Sequence, residues 1–115
     1  MNEKNIKKFI LDELKNFNFK FYSKGFKYLT EVIYMCILNE DLLENLTKNV
    51  FPKIAKKYNE KSYLNVKWCI EQVIKTMYNN TKIEVISNYF NLDYNLKPSL
   101  KFIVYVIVSK YNNKY

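Results

Sequence analysis

Residues 63–78 repeat their apolar side chains with the period of an α-helix. The repeat follows the spacing i, i+3, i+4, i+7, i+8 and i+11 of one buried helical face, and it comprises Val66, Cys69, Ile70, Val73, Ile74 and Met77. The opposite face carries polar, cationic and aromatic groups, namely Asn65, Lys67, Trp68, Glu71, Gln72 and Lys75. The pattern predicts a helix that packs its apolar face inward and presents the other face to water or a ligand.

A shorter helix is predicted just before it, within residues 50–58. Pro52 falls in the first turn of this helix, where its missing N–H is harmless. The residues predicted to be buried are Val50, Phe51, Ile54, Ala55 and Tyr58, and the exposed lysines are Lys53, Lys56 and Lys57. Two helices joined by roughly four residues, the second with a polar outer face, are typical of a helix-turn-helix DNA-binding motif. We therefore expect such a motif within residues 49–80.

The composition favours an all-α fold in one compact domain that spans residues 1–115. One Gly and two Pro among 115 residues are too few for a turn-rich sandwich or barrel, and 49% hydrophobic residues exclude a disordered chain. A chain of this length is expected to form a single core. No internal repeat or linker divides it.

Further helices are predicted on both sides of the central pair. They cover residues 3–16 with Asn2 as N-cap, residues from Ser23 to about 37, one or two turns around 42–46, residues 83–90, and residues 99–111 with Pro98 at the first helical position. Thr81 is predicted to cap the helix that follows it. Residues 16–22 alternate polar and apolar but have no partner strand, so we expect an extended connection. Residues 111–115 are predicted to be a polar tail.

The charge of the chain predicts a polyanionic partner. A net charge of +8 and a pI near 9.4 favour nucleic acid or an acidic membrane surface. The alternative is that the lysine excess reflects A+T-rich coding sequence. All basic residues are lysines, so the bidentate contact of an arginine with guanine is not available.

The sequence argues against enzymatic chemistry, a metal site and a cofactor. It contains no His, and Cys36 and Cys69 both lie within apolar helical patterns without a partner at metal-ligand spacing. No apolar run approaches the length of a membrane span, and the polar and charged residues 1–8 predict that there is no signal peptide. We therefore expect a cytoplasmic protein that is not an enzyme and does not act at a membrane.

Three segments resemble one known family, the C-terminal effector domain of stage 0 sporulation protein A. They are Lys24-Gly25-Phe26-Lys27-Tyr28-Leu29-Thr30-Glu31, then Val50-Phe51-Pro52-Lys53-Ile54-Ala55-Lys56-Lys57-Tyr58-Asn59, then Lys97-Pro98-Ser99. The similarity covers nearly the whole chain, with about one extra residue in the connection at residues 60–63. The resemblance implies an all-helical domain of about six helices that controls transcription in sporulation. It also implies DNA binding through a helix-turn-helix, often as tandem copies on a short repeated box.

The resemblance breaks down in two places. Full-length members of the family are response regulators with a phosphorylated receiver domain, which we expect to be absent because Met1 begins just before the effector domain. The recognition helix of the family carries arginine and acidic residues where this chain has Lys67, Trp68, Glu71 and Gln72. Trp68 stands where the family uses arginine. The scaffold is kept while the reading face is changed.

Two hypotheses follow for the function. The first is a sequence-specific regulator of double-stranded DNA with an altered recognition helix, acting alone, as a homodimer or in tandem. Its predicted DNA-binding residues are Lys53, Lys56, Lys57, Lys61, Ser62, Asn65, Lys67, Trp68, Glu71, Gln72 and Lys75. The alternative is a protein-binding modulator that assembles with a full-length sporulation regulator and has little DNA specificity. Trp68 could also be ordinary packing, in which case neither hypothesis uses it.

Overall fold

A computed structural model describes residues 2–115 and is helical throughout its regular parts. The α-helices of this range are α1 (Glu3–Leu14), α2 (Lys24–Leu38), α3 (Leu46–Asn49), α4 (Phe51–Lys57), α5 (Tyr63–Asn80), α6 (Ile83–Phe90) and α7 (Leu100–Lys114), and a 3₁₀ helix covers Glu40–Glu44. Residues 2–115 contain no strand, which confirms the all-α prediction, and the connection before α2 includes turns at residues 15–16 and 21–22. Because α3 is a single turn, six helices of at least seven residues make up the fold, as predicted.

Helix α2 is the centre of the packing. It lies against α1, α5 and α7, and α5 in turn packs on α4. The fully buried side chains come from five different helices and include Ile10, Leu29, Ile54, Ile70 and Ile107. The Cα radius of gyration is 13.6 Å, close to the value of about 13 Å expected for a compact domain of about 100 residues.

Helix starts follow the predicted capping residues in α1 and α2. The Asn2 side chain accepts a hydrogen bond from the Asn5 N–H at 2.9 Å, and the Ser23 hydroxyl accepts one from the Phe26 N–H at 3.2 Å. The prediction for Thr81 is wrong. Its hydroxyl accepts from the Asn18 N–H at 2.9 Å, and so it ties the end of α5 to the connection before α2 instead of capping α6.

The last helix differs from the prediction at both ends. Ser99 caps α7, so Pro98 lies one residue before the cap and not at the first helical position; its carbonyl accepts a hydrogen bond from the Tyr78 hydroxyl. At the other end, the predicted polar tail is helical to Lys114. The reason is Tyr111, which is buried edge-on against Phe9 of α1 with ring centroids 5.3 Å apart.

No helix within residues 2–115 combines the length and the apolar character that crossing a bilayer would require.

Candidate nucleic-acid interface

Helices α4 and α5 form a tightly connected pair. Helix α4 ends in a Schellman arrangement, in which Asn59 adopts a left-handed backbone with φ of 58° and the Glu60 N–H donates to the Ala55 carbonyl at 2.9 Å. Two residues later the Ser62 hydroxyl caps α5 by accepting from the Leu64 N–H at 2.9 Å. Residues 58–62 thus form a short connection between the two helices, close in length to the connection predicted from the sequence. The capping role accounts for Ser62 without any ligand.

The faces of α5 are divided nearly as the periodicity predicts. Val66, Ile70, Val73, Ile74 and Met77 are buried. Cys69, which was predicted to share this face, is only half-buried and lies at its edge. On the opposite side Asn65, Trp68, Glu71, Gln72 and Lys75 are exposed, and Lys67 is half-buried. The outer face is therefore accessible to a macromolecule.

Trp68 is 61% exposed, and so it is not part of the core. Its neighbour one turn earlier, Leu64, is 57% exposed, and Tyr63 is also partly exposed. Residues four apart lie on the same side of a helix, so Leu64 and Trp68 form an exposed apolar pair on the outer face. Large apolar groups in such a position are typical of a binding surface.

The predicted lysines of α4 and its connection are not equivalent. Lys53, Lys56 and Lys61 are exposed, and within residues 2–115 no carboxylate lies within 4.0 Å of their ammonium groups. On α5, the ammonium groups of Lys67 and Lys75 likewise have no carboxylate of residues 2–115 within 4.0 Å. Lys57 is also exposed, but its ammonium lies 3.3 Å from a carboxylate oxygen of Glu31.

Glu31 is a buried carboxylate that the sequence patterns did not single out. It is 7% exposed and accepts hydrogen bonds from Lys7 Nζ at 3.0 Å, Lys57 Nζ at 3.3 Å and the Tyr58 hydroxyl at 3.2 Å. Burial alone would raise the pKa of this carboxyl, but the hydrogen bond from Lys7 and the charges of Lys7 and Lys57 outweigh burial and lower the pKa. In the sequence, the one indication that Glu31 is buried is its position three residues after Tyr28, on the buried side of α2.

A second carboxylate fixes the turn between α4 and α5. Glu60 accepts a hydrogen bond from the Tyr28 hydroxyl, and its carboxylate lies 3.5 Å from Lys24 Nζ. The hydrogen bond from Tyr28 and the charge of Lys24 lower the pKa of Glu60. Burial and the hydrogen bond to Glu60 raise the pKa of Tyr28. The turn is therefore held against α2 by the hydrogen bond from Tyr28 and the ion pair with Lys24.

A groove of about 300 Å³ runs beside the outer face of α5. One wall is formed by Lys20 of the connection before α2 and by Lys24 at the start of α2, and the other wall is α5 with Trp68, Gln72 and Thr76. Lys20 and Lys24 were not among the predicted site residues, because nothing local in the sequence places them beside α5. The exposed face of α5 is thus bordered by additional positive charge.

Cys36, the other cysteine, is a buried core residue. Burial raises the pKa of the Cys36 thiol to about 11, so this cysteine is neutral and apolar in character at neutral pH. No group of three or more His, Cys, Asp or Glu side chains able to hold a metal ion occurs within residues 2–115. What the arrangement presents is a helix with an exposed polar and aromatic face, flanked by lysines.

The chain matches a known protein family. The family model described as "Sporulation initiation factor Spo0A C terminal" matches residues 10–110 of the 115. The match includes all of α2 to α6, most of α7 and the C-terminal part of α1 from Ile10 onward.

Proposed function

Since the chain belongs to the family of Spo0A C-terminal domains, which are DNA-binding domains, we propose that it is a transcriptional regulator that reads double-stranded DNA with the outer face of α5. The observation that supports this best is the exposure of Asn65, Trp68, Glu71, Gln72 and Lys75 on one face of the helix. In this proposal α4, the turn and α5 act as a helix-turn-helix with α5 in the major groove. Binding to DNA would place its action in the cytoplasm.

The phosphate contacts are assigned to the lysines beside α5. Lys53, Lys56 and Lys61 are exposed on α4 and the turn, and Lys20 lies across the groove from Trp68. Contacts with phosphates fix the position of a protein on the duplex but carry no base information. The phosphate contacts would account for the affinity of this protein for DNA and for the dependence of that affinity on salt concentration.

The base contacts are assigned to the polar residues of α5. Gln72 is suited to adenine, since a side-chain amide pairs with both the N6 and N7 positions of that base. Lys67 is half-buried at the edge of the face, and Trp68 offers only one donor. Because each good bidentate contact is worth roughly 1 to 3 kcal/mol of discrimination, we expect a weaker preference for the family's box than arginine-bearing relatives show.

A second function is favoured by the exposed pair Leu64 and Trp68. An apolar pair of this kind suits a protein partner, such as another copy of the chain or a full-length sporulation regulator. In that case the protein modulates its partner by assembly and has little specificity for DNA. Trp68 would become buried in such an interface and would contribute about 2 kcal/mol or more to the binding free energy.

Selection of bound duplexes from a random pool distinguishes these functions. Enrichment of a defined motif supports the DNA-reading proposal, and recovery of unrelated sequences supports the alternative. The salt dependence of binding tests the electrostatic part: contacts with four to six phosphates predict a slope of about −4 to −5 for log affinity against log salt. A slope near zero would contradict DNA binding through these lysines.

A further inference from the structure

Glu31 joins three helices at a single buried carboxylate. It projects from α2 and receives Lys7 from α1 at 3.0 Å, together with Lys57 and the Tyr58 hydroxyl from the end of α4 at 3.3 and 3.2 Å. A carboxylate that is 7% exposed needs such partners, since an unpaired buried charge is strongly unfavourable. We therefore expect Lys7, Lys57 and the Tyr58 hydroxyl to remain bound to the Glu31 carboxylate.

The direction of the Lys57 side chain follows from its contacts in this cluster. Consecutive residues of a helix point about 100° apart, so Lys56 and Lys57 emerge in different directions from the same turn. Lys57 turns to Glu31 and also lies 5.3 Å from the Tyr58 ring centroid. The Lys27 ammonium is a second cation over the Tyr58 ring, 4.2 Å from its centroid. Lys56 has neither kind of contact within residues 2–115.

We propose that Glu31 is a positioning residue for DNA binding, which holds Lys57 against α1 and α2 and thereby removes it from the set of lysines that contact phosphates. The inference rests on the proposed function and revises one predicted site residue, Lys57. Moving Lys57 to a phosphate would leave Lys7 as the only ammonium partner of Glu31 within residues 2–115. Glu31 thus sets how many charges the α4 surface offers to the duplex, although it lies in the interior.

Salt-dependent binding to a random-sequence duplex tests the proposal with a matched pair of variants. Lys56→Ala removes an exposed lysine without an ion pair and should make the slope of log affinity against log salt shallower by about 0.9, the change expected for one phosphate contact. Lys57→Ala, one residue later in the same helix, should leave the slope unchanged. A loss of stability alone does not alter this slope when both proteins are folded.

Glu31→Gln supplies the converse test, because it keeps the shape of the side chain and removes its charge. It should release Lys57 and make the slope steeper by up to about 0.9. The double variant Glu31→Gln with Lys57→Ala should return to the wild-type slope. A shallower slope for Lys57→Ala equal to that of Lys56→Ala, or an unchanged slope for Glu31→Gln, would overturn the inference while the DNA-binding function stands. Failure of the wild-type protein to bind any duplex would overturn both.

Discussion

Gly25 of α2 lies against the backbone carbonyl of Cys69 in α5, so close that a Cβ at Gly25 would stand 2.2 Å from that oxygen. The same carbon would be 2.9 Å from Cβ of Val73. Both distances are shorter than any ordinary contact, and the first involves backbone that cannot rotate away. The absence of a side chain at Gly25 is what allows α2 and α5 to approach, and this approach forms the floor of the groove beside Trp68.

Gly25→Ala should destabilise the protein although alanine favours helices. The gain in helix propensity is about 1 kcal/mol, whereas separating two packed helices typically costs roughly 1 to 3 kcal/mol or more. We expect a net decrease in the free energy of unfolding, measured by urea denaturation. Lys4→Ala, at an exposed position of α1, is the control and should change stability by less than about 0.5 kcal/mol. A more stable Gly25→Ala variant would show that the helices do not approach so closely.

Trp68→Ala should weaken duplex binding and leave stability nearly unchanged, because Trp68 is 61% exposed. The intrinsic fluorescence of Trp68, the only tryptophan, should respond to added duplex. If the substitution spares DNA binding and abolishes a protein complex, the alternative function is correct. A loss of about 3 to 5 kcal/mol in stability would mean that Trp68 is a core residue.

Lys20→Ala should reduce affinity for all duplexes alike and make the salt slope shallower by about 0.9. The reason is its position on the wall of the groove opposite Trp68 and Gln72. The matched control is Lys101→Ala, because Lys101 is also exposed but lines a separate groove with Leu43 and Tyr105. Equal effects of the two substitutions would indicate that only total charge matters.

Stability should fall on acidification through Glu31. Since the fold lowers the pKa of this carboxyl below its ordinary value of 4.5, its contribution is complete above that value and is lost as the pH falls through the folded-state pKa. At neutral pH, Glu31→Gln should decrease the free energy of unfolding by roughly 1 to 3 kcal/mol. Denaturation curves recorded from pH 7 down to about 3 should show a shallower decline for the variant than for the wild-type protein. Parallel declines would mean that Glu31 is not favoured as a carboxylate in the folded state.

The sequence by itself determined where most of the helices lie and which face of α5 is buried. The period of Val66, Ile70, Val73 and Met77 gave the buried side of α5 and therefore the exposure of Trp68 on the other side. Asn2 and Ser23 gave two helix starts. These features depend on residues three or four positions apart, within one turn of helix, and such spacings can be read directly from the chain.

Only the tertiary structure decided which charges and chain segments meet. Glu31 is 24 residues from Lys7 and 26 from Lys57, and Tyr89 donates to Glu13 across 76 residues. Two other contacts also join distant parts of the chain. The Asn18 N–H donates to the Thr81 hydroxyl, which was expected to cap α6, and Tyr111 packs on Phe9 and thereby extends α7. None of these partners leaves a periodic trace in the sequence, because each contact is fixed by how whole helices cross. The groove beside α5 likewise exists only because Gly25 lets two helices approach, and a pattern within either helix contains no information about that distance.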